Sequence, residues 1–474
     1  MIPSNKLIKL HFCLVLCLSL SIFQLQAQQL EVKRPKNIII MIGDGMGFNH
    51  VLAAEYFFYG EAGKSILNSE GFIAMAQATY PAITRTKEPV AYAQGYNADS
   101  VYKNPALLKK GYTDSGAAAT ALATGKKTFK GAIGIGLEKD TLFNLTELAK
   151  NKGKAAGVVT SVPISHATPA GFVTHNVSRN NYAEIAQQMI LQSQLDVIMG
   201  CGNPDYSDNG ELKNEDAKYV GGEELWLQLQ NKTPQQKFLI ENTHYVLKDI
   251  DGDHIPDAWT LIQDSASFAK LLTDKTTKRV LGLPKVYSTL QQARNNNLSS
   301  TMPYDVPLVR NIPSLRLMSE GAIHVLSKNK NGFFLMIEGG AIDWASHDNQ
   351  SQRMLEEMKD FLETIATVVD WVNNNSNWDE TLLIVTSDHE CGFLWGTEGI
   401  DTYNPVINKG KGNMPLMKWY ADDHTNALVP FFAKGAGSNI FQLFADEYDP
   451  RYGFYIQNAV VAQAIFMLWN TKFY

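Results

Sequence analysis

Several acids, imidazoles and hydroxyls in this chain stand where they could hold metal ions and attack phosphorus. Asp343 and His347 form a D-x-x-x-H pair, and Asp388 and His389 lie side by side in Ser387-Asp388-His389-Glu390. Asp44 sits inside Gly43-Asp44-Gly45, Glu338 precedes the D-x-x-x-H pair, and His166 and Thr168 share one loop. Mixed Asp and His donors suit zinc with one coordination position left open. An all-oxygen set such as Asp44, Thr168 and Glu338 suits magnesium. Ser115 opens a run of small residues, SGAAATA, which reads as a tightly packing helix. A serine at such a helix start lies where free N–H groups and the helix dipole favour an anion, poised to attack a phosphorus centre. Each piece has a plainer reading. An Asp after a strand usually caps a helix, and Asp114 or Ser115 taken alone reads best as a cap. Only their convergence would favour chemistry.

The elements that must bring them together are short apolar runs. Residues 37–42 (NIIIMI), 155–160 (AAGVVT), 195–199 (LDVIM), 333–337 (FFLMI) and 382–386 (LLIVT) read as strands covered on both faces. Helical stretches are expected at 181–191 and 352–373, the second with Met354, Met358, Phe361, Ile365 and Val368 at near-helical spacing for core packing. Strand–helix alternation predicts an α/β fold: a doubly wound, mostly parallel sheet with helices on both faces. Four of the strands lead into the polar residues above, and open parallel sheets bind ligands at their carboxyl ends. Residues 392–423, rich in Gly and aromatics, read as a long surface excursion. Residues 458–469 read as a buried helix too short to span a bilayer.

Of 474 residues, 45% are hydrophobic and 19% charged, the balance of a soluble globular protein. A net charge of −6 argues against a general nucleic-acid binder. Lys6 and Lys9 precede an apolar run ending at Phe23, and Ala27 offers a cleavage point, so residues 1–27 read as a signal peptide. The run is short for a spanning helix, and no stable membrane anchor is expected. Export is, to the periplasm or beyond. Cys13 and Cys17 fall in that segment, and Cys201 and Cys391 are expected to be unpaired and structural. Residues 249–257 carry acids at alternate positions, like a calcium loop. His254 stands where the turn glycine belongs and Thr260 replaces the last acid, so a solvated acidic turn is the preferred reading.

Six segments carry a family resemblance: IIIMIGDGMG (38–47), TDSGAAATALATGKKTFKGAIG (113–134), SHATPAGFVTHNVSR (165–179), MIEGGAIDWASH (336–347), TSDHE (386–390) and DHTNALVP (423–430). In that order the chain resembles the alkaline phosphatases, metal-dependent phosphomonoesterases, with residues 28–474 as the domain. The resemblance implies that Ser115 is the nucleophile and Arg179 the phosphate clamp. It implies a first zinc on Asp343, His347 and His424, and a second on Asp388, His389 and Asp44. Asp44 would bridge to a third metal, usually magnesium, completed by Thr168 and Glu338. It also implies a homodimer, broad use of small phosphate monoesters, and a crown-type insertion at 392–423. Two positions depart from bacterial members: His166 where Asp is common, and Trp344 where Lys or His is common. An imidazole there should weaken the hydration contacts of a magnesium ion, which predicts lower magnesium selectivity at the third site. Sulfatases of the superfamily need a C/S-x-P-x-R setting that Ser115 lacks, and diesterases generally lack the third metal and the arginine. A non-catalytic metal- or phosphate-binding protein is the other rival.

Overall fold

The computed structural model describes residues 33–85, 91–231, 233–297, 301–401 and 403–471. The signal segment 1–27 lies outside them. Eleven strands form the central sheet. In chain order they are β1 (Asn37–Gly43), β2 (Ile73–Ala78), β3 (Ala155–Pro163), β4 (Val197–Cys201), β5 (Thr260–Ile262), β6 (Val280–Gly282), β7 (Phe333–Gly339), β8 (Thr381–Thr386), β9 (Val429–Gly435), β10 (Glu447–Asp449) and β11 (Gly453–Gln457). Their spatial order is β10-β11-β2-β9-β8-β1-β7-β3-β4-β6-β5. The run from β8 to β5 is parallel throughout, whereas β9 pairs antiparallel with both β8 and β2. The expected doubly wound, mostly parallel sheet is what the chain builds.

The apolar runs form strands because both faces are covered. In β1, Ile38, Ile40 and Ile42 pack into one core with Leu122, Leu145 and Ile465. Ile39 and Met41 pack into the other with Met354, Phe361 and Ile365. Side chains alternate with period two, so a strand apolar at every position needs a helical layer on each side. The helix Ser351–Asn375 covers one face; Ser115–Thr124 and Val460–Leu468 cover the other. Residues 181–191 form a helix that changes character, α over Tyr182–Gln187 and π over Gln188–Gln192.

Strand register sets the site. Ile42 of β1 lies opposite Glu338 of β7 and Thr386 of β8, and Glu338 lies opposite Thr160 of β3. Four strands therefore reach one row near their carboxyl ends, and the residues that follow them share one edge. Residues 392–401 and 403–423 form an excursion bearing the small ladder Leu394–Trp395 against Lys418–Trp419. It touches the helix Phe48–Tyr59 through the Gly412 N–H, which donates to Phe57 O at 2.7 Å. No helix among the described residues is long and apolar enough to cross a membrane.

Candidate metal centre and phosphate site

Beyond that row the chain turns sharply. Gly45 has φ +73°, and a Cβ there would meet the Asp343 backbone at 2.8 Å, so only glycine fits. The turn drops Asp44 against β7, its N–H donating to Gly339 O at 3.2 Å. After β8, Asp388 Oδ1 accepts the N–H groups of Gly45 and His389 at 3.1 and 2.9 Å, which leaves its other oxygen free to point inward. The helix Ala341–His347 carries Asp343 and His347 one turn apart on one face. His424 comes from a two-residue ladder, Glu390–Cys391 against His424–Thr425.

These side chains form two groups. Asp343, His347 and His424 come together with Cys391, and Asp44 with Asp388 and His389; within each group the potential ligand atoms lie within 4.8 Å of one another. The imidazole tautomers are set from outside. His347 Nδ1 faces Asp422 O at 2.6 Å and His424 Nδ1 faces Thr113 O at 2.9 Å, and each nitrogen must donate its proton there. Both Nε2 lone pairs then face each other at 3.0 Å, with Asp343 oxygens 3.4 and 3.5 Å away. Two lone pairs and a carboxylate converging on one point repel unless a cation sits among them. In the second group His389 Nε2 lies 2.9 Å from Asp388 Oδ2 and 3.5 Å from Asp44 Oδ1.

A third arrangement joins Asp44 to Thr168 and Glu338. Thr168 Oγ1 donates to Asp44 Oδ2 at 3.3 Å, and Thr160 Oγ1 donates to Glu338 Oε2 at 2.5 Å. Oxygens on Asp44, Glu338, Asp343 and Asp388 are buried without a hydrogen-bond partner. Buried polar atoms are seldom left so, and several at one point fit missing cations. The protonation equilibria agree. Burial, then the charges of Asp388, Asp343 and Glu338, pushes the Asp44 carboxyl well above its usual range. Burial likewise pushes Glu338 up to about 7. Burial, and then His389, holds His424 well below the ordinary imidazole value, so it stays a neutral donor.

Ser115 stands at the edge of the second group. It is the first residue of the helix Ser115–Thr124, in which every side chain is buried. Small residues are required there: a Cβ on Gly171 of the helix Ala167–Gly171 would fall 2.7 Å from Ala119 Cβ. Ser115 Oγ lies 3.3 Å from His389 Nε2 and 3.4 Å from Arg179 Nη1. Two of the N–H groups expected to be free at this helix start are in use, since Asp114 caps it by accepting from Gly116 and Ala117. Arg179, beside Ser115, then supplies the charged donor for an anion. Asp114 Oδ2 also accepts from Arg179 Nη1 at 3.0 Å. Burial alone would raise the Asp114 carboxyl, but Arg179 and the Gly131 N–H outweigh it and hold it low. The Arg179 N–H donates to Gly131 O, and the Gly131 N–H to Asp114 Oδ1, which closes a ring of bonds around the guanidinium.

A cavity of about 360 Å³ opens above, lined by Ser115, His166, Arg179, Trp344, His347 and His424 among others. His166 stacks on Tyr182 and meets Trp344 edge-on, with ring centroids 6.2 and 5.5 Å apart. Burial, then Arg179 and His347, holds its pKa at about 3, so the ring is uncharged at neutral pH. Every site residue proposed from the sequence therefore converges here. The sequence reading missed the Asp114–Arg179 pair and the approach of Cys391. Asp114 was visible as a cap, but its partner lies 65 residues away. Both cysteines are unpaired, as expected; Cys201 is buried with its thiol donating to Ser161 O.

A doubly wound sheet with two acid–imidazole clusters at its carboxyl edge, beside a serine and an arginine, defines a metal-binding α/β protein equipped for phosphoryl groups. Comparison with known proteins narrows the class. The alkaline phosphatase family model matches residues 35–444, and the chain belongs to that family. Alkaline phosphatase 3 of Bacillus subtilis is 30% identical over 373 residues, 77% of this chain and 63% of the relative. Alkaline phosphatase of Escherichia coli is 27% identical over 76% of this chain and 71% of its own. The chain thus spans under two thirds of the length of the Bacillus relative. Among solved structures, the alkaline phosphatase of the Antarctic bacterium TAB5 superposes with a TM-score of 0.58 at 22% identity, covering 93% of this chain and 100% of that one. That of Thermus thermophilus gives 0.61 at 19% identity over 93% and 92%. At such identities the superpositions speak for the fold.

Proposed function

We propose that this chain is an exported alkaline phosphatase that hydrolyses phosphate monoesters through a phosphoserine at Ser115. The observation that carries this is the position of Ser115 Oγ between the Arg179 guanidinium and the His389 imidazole, at the rim of buried acids with unpartnered oxygens. The donor sets suit zinc on Asp343, His347 and His424, zinc on Asp44, Asp388 and His389, and magnesium on Asp44, Thr168 and Glu338. When bound, such ions neutralise the phosphate dianion, favour the serine alkoxide and lower the pKa of water. Arg179 holds two non-bridging oxygens by its planar fork, which a lysine lacks. Asp114 and the Gly131 loop keep that fork aimed. Ser115 gives up its hydroxyl proton to solvent and its Oγ attacks phosphorus in line as the ester P–O bond breaks, the departing alkoxide taking a proton from water. Water then adds to phosphorus, the Ser115–phosphorus bond breaks, and Ser115 Oγ regains a proton as phosphate leaves. His166 and Trp344 wall the cavity without contributing charge. The residues assigned roles here address the phosphoryl group and leave the alcohol unspecified, so broad monoester use is expected. Homodimeric assembly and a crown-type role for residues 392–423 belong to the same reading.

The test is turnover of p-nitrophenyl phosphate beside its bis-ester. The monoester should be strongly preferred, and Ser115→Ala should lower turnover by at least ~10³-fold with zinc content unchanged. Equal use of the bis-ester would point to a diesterase, and full activity in Ser115→Ala would overturn the mechanism.

A further inference from the structure

The chemistry above leaves the buried thiol of Cys391 unused. Cys391 belongs to the ladder Glu390–Cys391 against His424–Thr425, where it lies directly opposite His424. Opposed residues of an antiparallel pair project from the same face. Glu390 and Thr425 share the other face, where the Thr425 hydroxyl donates to the Glu390 carboxylate. Cys391 is thereby turned toward the centre together with His424. Its sulfur and the ligand atoms of Asp343, His347 and His424 all lie within 4.8 Å of one another. Asp343 Oδ1, on a side chain only 6% exposed, has no nitrogen or oxygen hydrogen-bond partner in this space, and before a cation binds the Cys391 thiol is the group that meets the Asp343 carboxylate. The Cys391 N–H donates to Gly45 O at 3.0 Å, which ties the residue to the turn that delivers Asp44.

We propose that Cys391 Sγ is a fourth protein donor to the cation held by Asp343, His347 and His424. The proposal rests on the metal-dependent reading above. On loading, the S–H bond breaks, its proton passes to solvent, and a sulfur lone pair forms the metal–sulfur bond. A soft sulfur tilts the site toward zinc, cobalt and cadmium and away from magnesium. Zinc can expand to five ligands, so a position for the substrate oxygen survives.

Cobalt(II) in place of zinc reads this directly in the full protein. Visible ligand-field bands report cobalt in the site; a near-ultraviolet sulfur-to-cobalt charge-transfer band reports the thiolate. The native protein should show both. Cys391→Ser should keep the visible bands, lose the charge-transfer band and bind cobalt about 10-fold more weakly or worse. Cys201→Ser should change neither. Visible bands without charge transfer in the native protein would overturn the sulfur ligand and leave the phosphatase reading standing. Absence of any cobalt band would overturn both. A charge-transfer band that survives Cys391→Ser would place the sulfur elsewhere and also overturn it. Should Cys391→Ser fail to fold, the native spectrum still decides.

Discussion

The acids of the 249–257 turn and the acids of the buried centre differ in what already holds their oxygens. In the turn, Asp249 accepts from the N–H groups of Asp251, Gly252 and His254, and Asp253 from that of Ile255. Asp257 accepts from the Ile250 N–H, and the Lys278 ammonium pairs with Asp251. Asp249, Asp251 and Asp257 do lie close enough together to hold an ion. Yet the backbone has done much of that work, and the Gly252 N–H above all holds the Asp249 carboxyl below its usual range. In the centre the backbone reaches fewer oxygens, burial removes water, and Asp44 is driven the opposite way. Acid spacing alone therefore does not make a cation site; oxygens left without donors do.

Removing the cations should separate the two regions most sharply. Chelation should lower monoester turnover at least ~10³-fold, more than the loss of a single transition-state donor, and zinc should restore it. Calorimetry should show the melting transition fall as well, because a cation at a thousand times its Kd adds about 4 kcal/mol. Calcium should neither restore turnover nor protect the 249–257 turn from proteolysis. Protection by calcium would bring the two regions together.

Single substitutions come next. Asp388→Asn should cost roughly 10²-fold in turnover and weaken zinc binding, as read by metal analysis after dialysis. Glu357, on the long helix Ser351–Asn375, supplies a third case: a buried acid outside both metal groups. Burial, then Asp360 and Glu356, pushes it up to about 8. The folded chain keeps a proton that the unfolded chain sheds above the ordinary value of 4.5, so stability declines between those values and is flat beyond them. Glu357→Gln should therefore gain on the native protein as pH rises, by on the order of 2–4 kcal/mol at pH 9 and little at pH 4. Urea titrations at both pH values and equal zinc check this; a gain independent of pH would rule out the ionisation.

Smaller effects follow. His166→Asp places a carboxylate near the third arrangement and should strengthen magnesium binding by roughly 10-fold; unchanged magnesium titrations would remove His166 from that role. Asp251→Asn should shift stability by less than ~0.5 kcal/mol, because its lysine partner is exposed. A loss as large as that in Asp388→Asn would erase the contrast.

Much of this was legible before folding was considered. Runs such as NIIIMI and LLIVT are apolar at nearly every position, and only a strand covered on both faces uses them so. The polar residues just beyond marked the carboxyl edge. Local order could also show Asp114 as a cap. It could not show that the same carboxylate holds Arg179 while taking two of the N–H groups expected to meet an anion. Nor could it show Cys391 facing His424, since that pairing comes from a two-residue ladder between distant segments.

Residue types and their order along the chain were enough to specify the strands, the loops that end them and the kinds of atom those loops carry. Each of these depends on periodicity and composition within about ten residues. Which oxygens stay without donors, which nitrogen of His347 and His424 is free, and where the sulfur points were decided only when the chain had folded and the register of β1, β7, β8 and β3 was set. Register is a contact between segments more than a hundred residues apart, and no local pattern encodes it.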